Sequence, residues 1–212
     1  MMSTHVEQKL DALEVMKERH SVRKYEKGFK IPDEDMNDIL NATIEAPSSW
    51  NLQHWKFLVI EDDEKKEQLL PIAFNQKQVV DSSATIVILG DTEANLHAEE
   101  VYGQAVENGY MDNAVKETLV SQINGAYERE GFAYSEAVKN SSLAAMQLML
   151  AAKAKGYDTI PMGGFNPQAL INEFNIPSRY VPIMLISVGK AAAEAHASAR
   201  FPVERVVIKN SF

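Results

Sequence analysis

The sequence contains no cysteine. Without thiols the chain can form no disulfide, no cysteine nucleophile and no cysteine-ligated metal or iron–sulfur centre. It also lacks an HExxH motif or any comparable ligand spacing, so we expect no metal site. Redox chemistry in this chain would therefore require a bound organic cofactor or a metal held by other ligands.

Positive charge is scarce, since 21 Lys and Arg face 30 Asp and Glu, for a net charge of −9. Nucleic acids and anionic membranes are bound by basic surfaces, so we expect neither as a partner. Apolar runs such as ATIVILG at 84–90 are too short to span a bilayer. The N-terminal segment is charged and lacks the apolar core of a signal peptide, which favours a cytoplasmic protein.

Length and hydrophobic periodicity predict one α+β domain over residues 1–212, mostly helical around a small sheet. Helices are predicted at about 5–18, 33–44, 63–70, 135–156 and 167–174. Strands are predicted at 55–62, 84–91 and 181–189, with a last short strand or arm at 203–210. The polar stretch 93–131 has helical segments and scattered glycines, and we interpret it as a cap or lid.

A cationic cluster stands out in this acidic sequence, because RHSVRKY at 19–25 contains Arg19, His20, Arg23 and Lys24. The cluster is either a solvated basic patch or a seat for an anion. Arginine can donate two hydrogen bonds to a phosphate, and Ser21 could add a hydroxyl or a backbone donor.

Two further segments are more polar than a core requires. APSSWNLQHW at 46–55 is a turn, but it also places hydrogen-bonding side chains beside two tryptophans, which suits a planar heteroaromatic ligand. IPMGGF at 160–165 is a tight turn or a place where backbone N–H groups approach a ligand ring.

Taken in this order and spacing, RHSxRKY, APSSxNxQxW and PxGGF resemble the nitroreductase family of flavoproteins. The resemblance extends from about residue 15 to 208. It includes an FNxxxVxD segment at 74–81 and a late arginine, Arg200, in ARFP. It implies a mixed central sheet flanked by helices and an intertwined homodimer with two FMN sites at the subunit interface.

The resemblance also implies a role for each matching residue. The phosphate and ribityl chain of FMN would be held by Arg19, His20, Ser21 and Arg200, with Arg23 near the ribityl chain or the N1–C2 edge. The pyrimidine edge would meet Asn75, and Gln78 occupies the position where some members carry lysine. The partner subunit would contribute Pro47, Ser48, Ser49 and Asn51. The ring and its N5 would lie near the backbone of Gly163 and Gly164.

The implied activity is transfer of a hydride from NADH or NADPH through the flavin to a small-molecule acceptor, a nitroaromatic, quinone or free flavin, by a ping-pong mechanism. No side chain stands out as catalytic, because the cofactor carries the chemistry. Two alternatives stay open: a non-catalytic FMN-binding or redox-sensing protein, and a specialised relative that fragments flavin or removes halide reductively.

Besides Gln78, two residues depart from the pattern of the family. Some members carry an acidic residue at the position of Gly163, and a proline is common at the position of His54. Elsewhere, we expect His97 to be solvated, and Met146 and Met149 to pack in the core.

Overall fold

The computed structural model describes residues 11–212. Its strands are β1 (Trp55–Ile60), β2 (Ala84–Asp91), β3 (Asp158–Met162) and β4 (Tyr180–Gly189). Its α-helices are α1 (Ala12–Glu18), α2 (Asp33–Ile44), α3 (Asp63–Ile72), α4 (Gln78–Asp81), α5 (Ala98–Glu107), α6 (Asn113–Tyr127), α7 (Phe132–Ala154), α8 (Pro167–Glu173) and α9 (Val203–Val206). The α+β class is therefore confirmed.

The sheet has the strand order β1-β2-β4-β3, and every neighbouring pair is antiparallel. The expected mixed sheet is therefore wrong for these four strands. Parallel pairing within residues 11–212 is limited to one bridge, between Ser21 and Thr159. The 19–25 segment runs beside β3 but pairs at single residues, so it lines the edge of the sheet without adding a full strand.

Strand β2 is buried along its whole length, as its continuous apolar run predicts. Successive side chains point to opposite faces. Ile86 and Ile88 pack into a cluster with residues of α2 and α7. Val87 and Leu89 pack into a second cluster with residues of α3, β3 and α8. Helices therefore cover both faces of the sheet.

Helix α7 lies unusually close to β2, and Gly90 makes this possible. A Cβ at Gly90 would lie 3.0 Å from both the Cβ and the carbonyl oxygen of Ala137. The small side chains of α7 thus bring its polar residues directly over the sheet, beside the loop that precedes β1.

The cap predicted at 93–131 contains α5 and α6, which form a satellite core with Leu52. The helix residues that pack around Leu52 in this buried cluster are Ala98, Tyr102, Val120 and Ile123. The cap is therefore packed on the 46–55 segment. No helix in the described part of the chain is long and apolar enough to cross a membrane.

The two ends differ from their predictions. Helix α1 begins at Ala12 behind a capping box formed by Asp11 and Glu14, and residues 5–10 of the predicted helix lie outside the described residues. At the other end, the short strand predicted at 203–210 is wrong, because only the single turn of α9 forms there. The side chains of Phe201, Val203, Val206 and Ile208 are all more than half exposed. This C-terminal segment, residues 199–212, is an arm with no core of its own.

Candidate functional site

The cationic 19–25 segment is fixed along the outer edge of β3. The Val22 N–H donates to the Thr159 carbonyl at 3.1 Å, and Tyr25 pairs with Ala191. Arg23 is exposed and Arg19 is partly exposed. Neither arginine forms an ion pair with any residue in the 11–212 range. Two uncommitted guanidinium groups on an acidic protein are available to an anionic ligand.

The glycine pair lies at the end of the same strand. A Cβ built on Gly163 would meet nothing within 4 Å, and one on Gly164 would lie 3.5 Å from Gln76 Nε2. Gly164 is held in place because Gln76 Nε2 donates to its carbonyl oxygen at 2.7 Å. The pair thus leaves an open surface of fixed backbone, onto which a planar ring can lie closely.

A strained loop stands next to the glycine pair. Phe74 and Asn75 are both exposed and have φ angles of 52° and 57°. A left-handed conformation is uncommon for residues other than glycine, and for a bulky aromatic residue it is an outlier. Such strain concentrates at functional sites. The structure therefore places the loop that contains Asn75 against Gly164 at the end of β3, and the 19–23 segment along the outer edge of the same strand.

Gln78 is largely buried, unlike Asn75. It lies in the first turn of α4 and is only 8% exposed. Its amide nitrogen donates to Gln76 Oε1 at 3.2 Å and contacts Met162 Sδ at 3.3 Å. Gln78 therefore contacts Gln76, whose side-chain amide donates to the Gly164 carbonyl.

The second predicted group lies at the opposite edge of the sheet. Pro47, Ser48, Ser49 and Asn51 precede β1, whereas the 19–23 segment runs beside β3 and the glycine pair follows it. Three inter-strand spacings, about 14 Å, separate β1 from β3. The two predicted groups therefore lie at opposite edges of the sheet of one chain.

Arg200 belongs to neither edge by its own contacts. It lies in the exposed C-terminal arm, where its guanidinium donates to Ser198 Oγ at 2.9 Å and to the Ala199 carbonyl at 3.0 Å. The fold of the single chain does not attach it to Arg19 or Arg23.

The loop before β1, residues 47–53, is strained and firmly held. Trp50, Asn51 and Gln53 have φ angles of 53°, 55° and 51°. Ser48 Oγ accepts from the Gln53 N–H at 3.0 Å, which closes the turn. Tyr102 of the cap donates its hydroxyl to the Trp50 carbonyl at 3.2 Å. The cap thus fixes the loop from outside.

The expectation that His97 is solvated is wrong. Its Nδ1 lies 2.8 Å from the Leu52 carbonyl oxygen and donates to it, because a carbonyl only accepts. Its Nε2 faces the buried carboxylate of Asp91 at 3.7 Å. Sequence reasoning missed this contact because His97 and Leu52 are far apart along the chain.

Helix α7 anchors the same loop from below. Asn140 Oδ1 accepts from the Ser49 N–H at 2.8 Å, and Asn140 Nδ2 donates to Glu136 Oε2 at 3.1 Å. Burial raises the pKa of Glu136, but hydrogen bonds from Lys139, Ser49 and Asn140 outweigh it and hold that pKa below its usual value. The sequence contains a pattern that predicts this contact between side chains: Glu136 and Asn140 are polar residues four positions apart on the small-residue face of a long helix.

His54 is fully buried beneath this loop. Neither ring nitrogen has a hydrogen-bond partner among residues 11–212. Burial lowers the pKa of His54 to about 4, although the nearby carboxylates of Glu136 and Asp91 oppose that shift. The imidazole is therefore neutral at pH 7.

This burial predicts a specific pH dependence of stability. The unfolded chain takes up a proton at His54 near pH 6.5, whereas the folded chain does so only near pH 4. The contribution of neutral His54 to the free energy of unfolding is therefore fully present well above pH 6.5. It is lost as the pH falls toward 4, by about 3 kcal/mol at most. We expect His54→Leu to lose less unfolding free energy than the wild type between pH 7 and pH 4.5, measured by urea denaturation. Equal losses in the two proteins would contradict the assignment, because the carboxylates common to both titrate alike.

Comparison with known proteins adds independent information. The sequence model of the Nitroreductase family matches residues 16–190. YodC of Bacillus subtilis (strain 168), named as a proposed NAD(P)H nitroreductase, is 52% identical over 196 residues, which cover 92% of this chain and 97% of that protein. The CLA biosynthesis enone reductase of Lactiplantibacillus plantarum is 35% identical and covers 90% of both chains.

Solved structures give the same result. A proposed nitroreductase from Exiguobacterium sibiricum 255-15, crystallised in complex with FMN, aligns with a TM-score of 0.87 and 41% identity, over 94% of this chain and 97% of that one. A proposed NAD(P)H:FMN oxidoreductase from Staphylococcus epidermidis aligns with the same TM-score and 40% identity, over 95% and 98%.

Proposed function

This chain belongs to the nitroreductase family, and from that premise we propose that it transfers a hydride from NADH or NADPH to a small oxidised acceptor. It is an NAD(P)H-dependent oxidoreductase of the nitroreductase type, with FMN as its cofactor. The acceptor class we propose is a nitroaromatic, a quinone or a free flavin. We also propose a cytoplasmic homodimer with two FMN sites.

One observation carries the proposal: arginines without an ion pair in the described chain share the edge of β3 with an open glycine pair. FMN has a terminal phosphate at one end and a planar ring at the other. Arg19 and Arg23 supply cations that no described carboxylate neutralises, and Gly163 leaves open space above fixed backbone. The donor set therefore fits the cofactor at both of its ends.

The remaining residues complete the proposed site. His20, Ser21 and Arg200 would bind the phosphate and ribityl chain together with Arg19. Asn75 would hydrogen-bond to the pyrimidine edge, and Gln78 would act through Gln76 on the glycine pair. A partner subunit would contribute its own Pro47, Ser48, Ser49 and Asn51, since this loop lies at the opposite edge of the sheet.

When bound, FMN supplies a ring that accepts a hydride and passes it on. The charge of Arg23 near the N1–C2 edge would stabilise the negative charge of the reduced ring and raise its potential. The backbone at Gly163 and Gly164 would lie against N5. No side chain has to act as nucleophile or base, and NAD(P)H and the acceptor would bind in turn at the open surface beside the glycine pair.

The direct test of the proposal is anaerobic reduction. We expect the purified protein to be yellow, to release FMN on denaturation, and to lose its flavin absorbance within seconds to minutes of mixing with NADH or NADPH. Free FMN at the same concentration is the control for uncatalysed reduction. Addition of a quinone or nitroaromatic should restore the colour.

Two results would contradict this proposal. Release of FAD as the main flavin would show that the phosphate-binding site is wrongly assigned. A yellow protein that neither nucleotide bleaches would favour the alternative of an FMN-binding or redox-sensing protein.

A further inference from the structure

We propose that Asn140 and Glu136 of α7 are positioning residues for the active site. They would fix the 47–53 loop of one subunit in the conformation in which it meets the flavin of its partner. The inference rests on the proposed function, and it concerns two residues that lie outside the segments resembling the family motifs.

The contact is direct and buried. Asn140 is 1% exposed and Glu136 is 4% exposed. Asn140 Oδ1 accepts from the Ser49 N–H at 2.8 Å. Glu136 in turn accepts from Asn140 Nδ2 at 3.1 Å. Asn140 therefore binds the loop directly, and Glu136 acts on the loop through Asn140.

The hydrogen bonds fix the orientation of the Asn140 amide. Its nitrogen donates to the Glu136 carbonyl at 2.7 Å and to Glu136 Oε2 at 3.1 Å, and an ionised carboxylate can only accept. The amide oxygen must therefore point to the loop, where it meets the Ser49 N–H. Lys139 binds the other carboxylate oxygen of Glu136 and keeps the group ionised.

The loop needs such an anchor because its backbone is strained. Trp50 and Asn51, which follow Ser49 directly, have left-handed φ angles of 53° and 55°. A strained conformation persists only where the surroundings over-determine it. Loss of the Ser49 anchor would let the loop relax, and Asn51 would leave the position from which it can reach the partner.

Exchange of donor and acceptor tests this arrangement. In Asn140→Asp two carboxylates face each other, so we expect FMN to bind roughly tenfold more weakly. In the double variant Asn140→Asp with Glu136→Gln, the introduced glutamine nitrogen can donate to the introduced aspartate, which removes one of two repulsive contacts. The other, between the aspartate and the backbone carbonyl at position 136, remains. We therefore expect an FMN affinity between those of Asn140→Asp and wild type. The measurement is flavin fluorescence titration of apoprotein.

A complementation test separates positioning from general destabilisation. Let Asn140→Leu be co-expressed with a charge-reversal variant, Arg19→Glu, whose own loop is intact. If Asn140 acts on the loop, mixed dimers contain one intact site, and about a quarter of all sites should bind FMN. Co-expression of Asn140→Leu with Asn51→Leu should rescue nothing, because both lesions affect the same half of the site.

The matched control is Gln147→Leu. Gln147 also lies on α7 and donates its side-chain amide to a backbone carbonyl, that of Ala42 at 2.6 Å, but it does not contact the loop. We expect FMN affinity within about twofold of wild type for this variant, whatever its thermal stability.

Several outcomes would overturn the inference. If folded Asn140→Leu or Asn140→Asp binds FMN with wild-type affinity, Asn140 and Glu136 have only a structural role. The same conclusion follows if the double variant binds FMN as weakly as Asn140→Asp does. Recovery of FMN binding when Asn51→Leu and Asn140→Leu chains are co-expressed would also contradict the inference. Failure of the proposed function is distinguishable, because wild-type protein would then lack FMN, or Arg19→Glu and Asn51→Leu would not rescue each other.

Discussion

Co-expression of Arg19→Glu and Asn51→Leu chains should restore FMN to about a quarter of all sites, although homodimers of either variant should bind very little. Arg19→Glu places a carboxylate where the phosphate needs a cation. Asn51→Leu removes the amide and puts a branched side chain at a left-handed residue with a φ of 55°. Either lesion should empty the sites that contain it.

The expectation follows from the sheet topology. Arg19 lies beside β3 and Asn51 precedes β1, and these two strands are at opposite edges of the sheet, about 14 Å apart across β2 and β4. In the proposed shared site, the two residues come from two chains. In a mixed dimer with two-fold symmetry, one site receives both lesions and the other receives neither. Random pairing makes about half of the dimers mixed, which leaves about a quarter of the sites intact.

Flavin content per subunit and NAD(P)H oxidation rate should be measured on the mixed dimers, isolated through a different affinity tag on each chain. Two Arg19→Glu chains with different tags are the control and should show no recovery. Tagged mixed dimers that form and remain colourless would rule out a shared site.

The second large effect is expected at the phosphate. Arg19→Ala and Arg200→Ala should each weaken FMN binding by roughly tenfold to a hundredfold, because a hydrogen bond to a charged group contributes about 1.5–3 kcal/mol. Neither guanidinium carries an ion pair within the described chain, so its loss should not unfold the protein. Circular dichroism and thermal unfolding check the fold, and flavin titration gives the affinity.

Lys24→Ala is the matched control, because Lys24 is an exposed cation of the same basic segment that the site does not use. It should change FMN affinity by less than about threefold, through screened long-range charge alone. Equal losses for Lys24→Ala and Arg19→Ala would show that net charge, not a phosphate contact, sets the affinity. Arg200→Ala with unchanged affinity would remove the C-terminal arm from the site.

Local chemistry in the sequence was enough to predict several elements of this protein. The uninterrupted apolar run at 84–91 predicts a strand buried on both faces, and β2 is that strand. Gly156 predicts the end of the long helix, and it follows α7 with a φ of 84°. These features depend on neighbours within a few residues, so the sequence alone contains their cause. The chemical character of the 19–25 and 160–165 segments is equally local.

The direction in which a side chain points and its burial could not be predicted as well, because both depend on contacts between segments that are distant in the sequence. Met146 and Met149 both occupy apolar helix positions, yet Met149 is 7% exposed and Met146 is 40% exposed. Their difference arises from which face of α7 meets the sheet. Strand β3 was not among the predicted strands. It has only five residues and contains Pro161, which an edge strand tolerates.

The sequence by itself determined the family and the residue types that can bind a flavin phosphate and ring. Only the tertiary structure decided that these residues lie at two opposite edges of one sheet, and that Asn140 lies under the loop before β1. Hydrogen bonds such as that from the Ser49 N–H to Asn140 join residues 91 positions apart. Their geometry is set by how α7 packs over β2, which no local pattern of residues encodes.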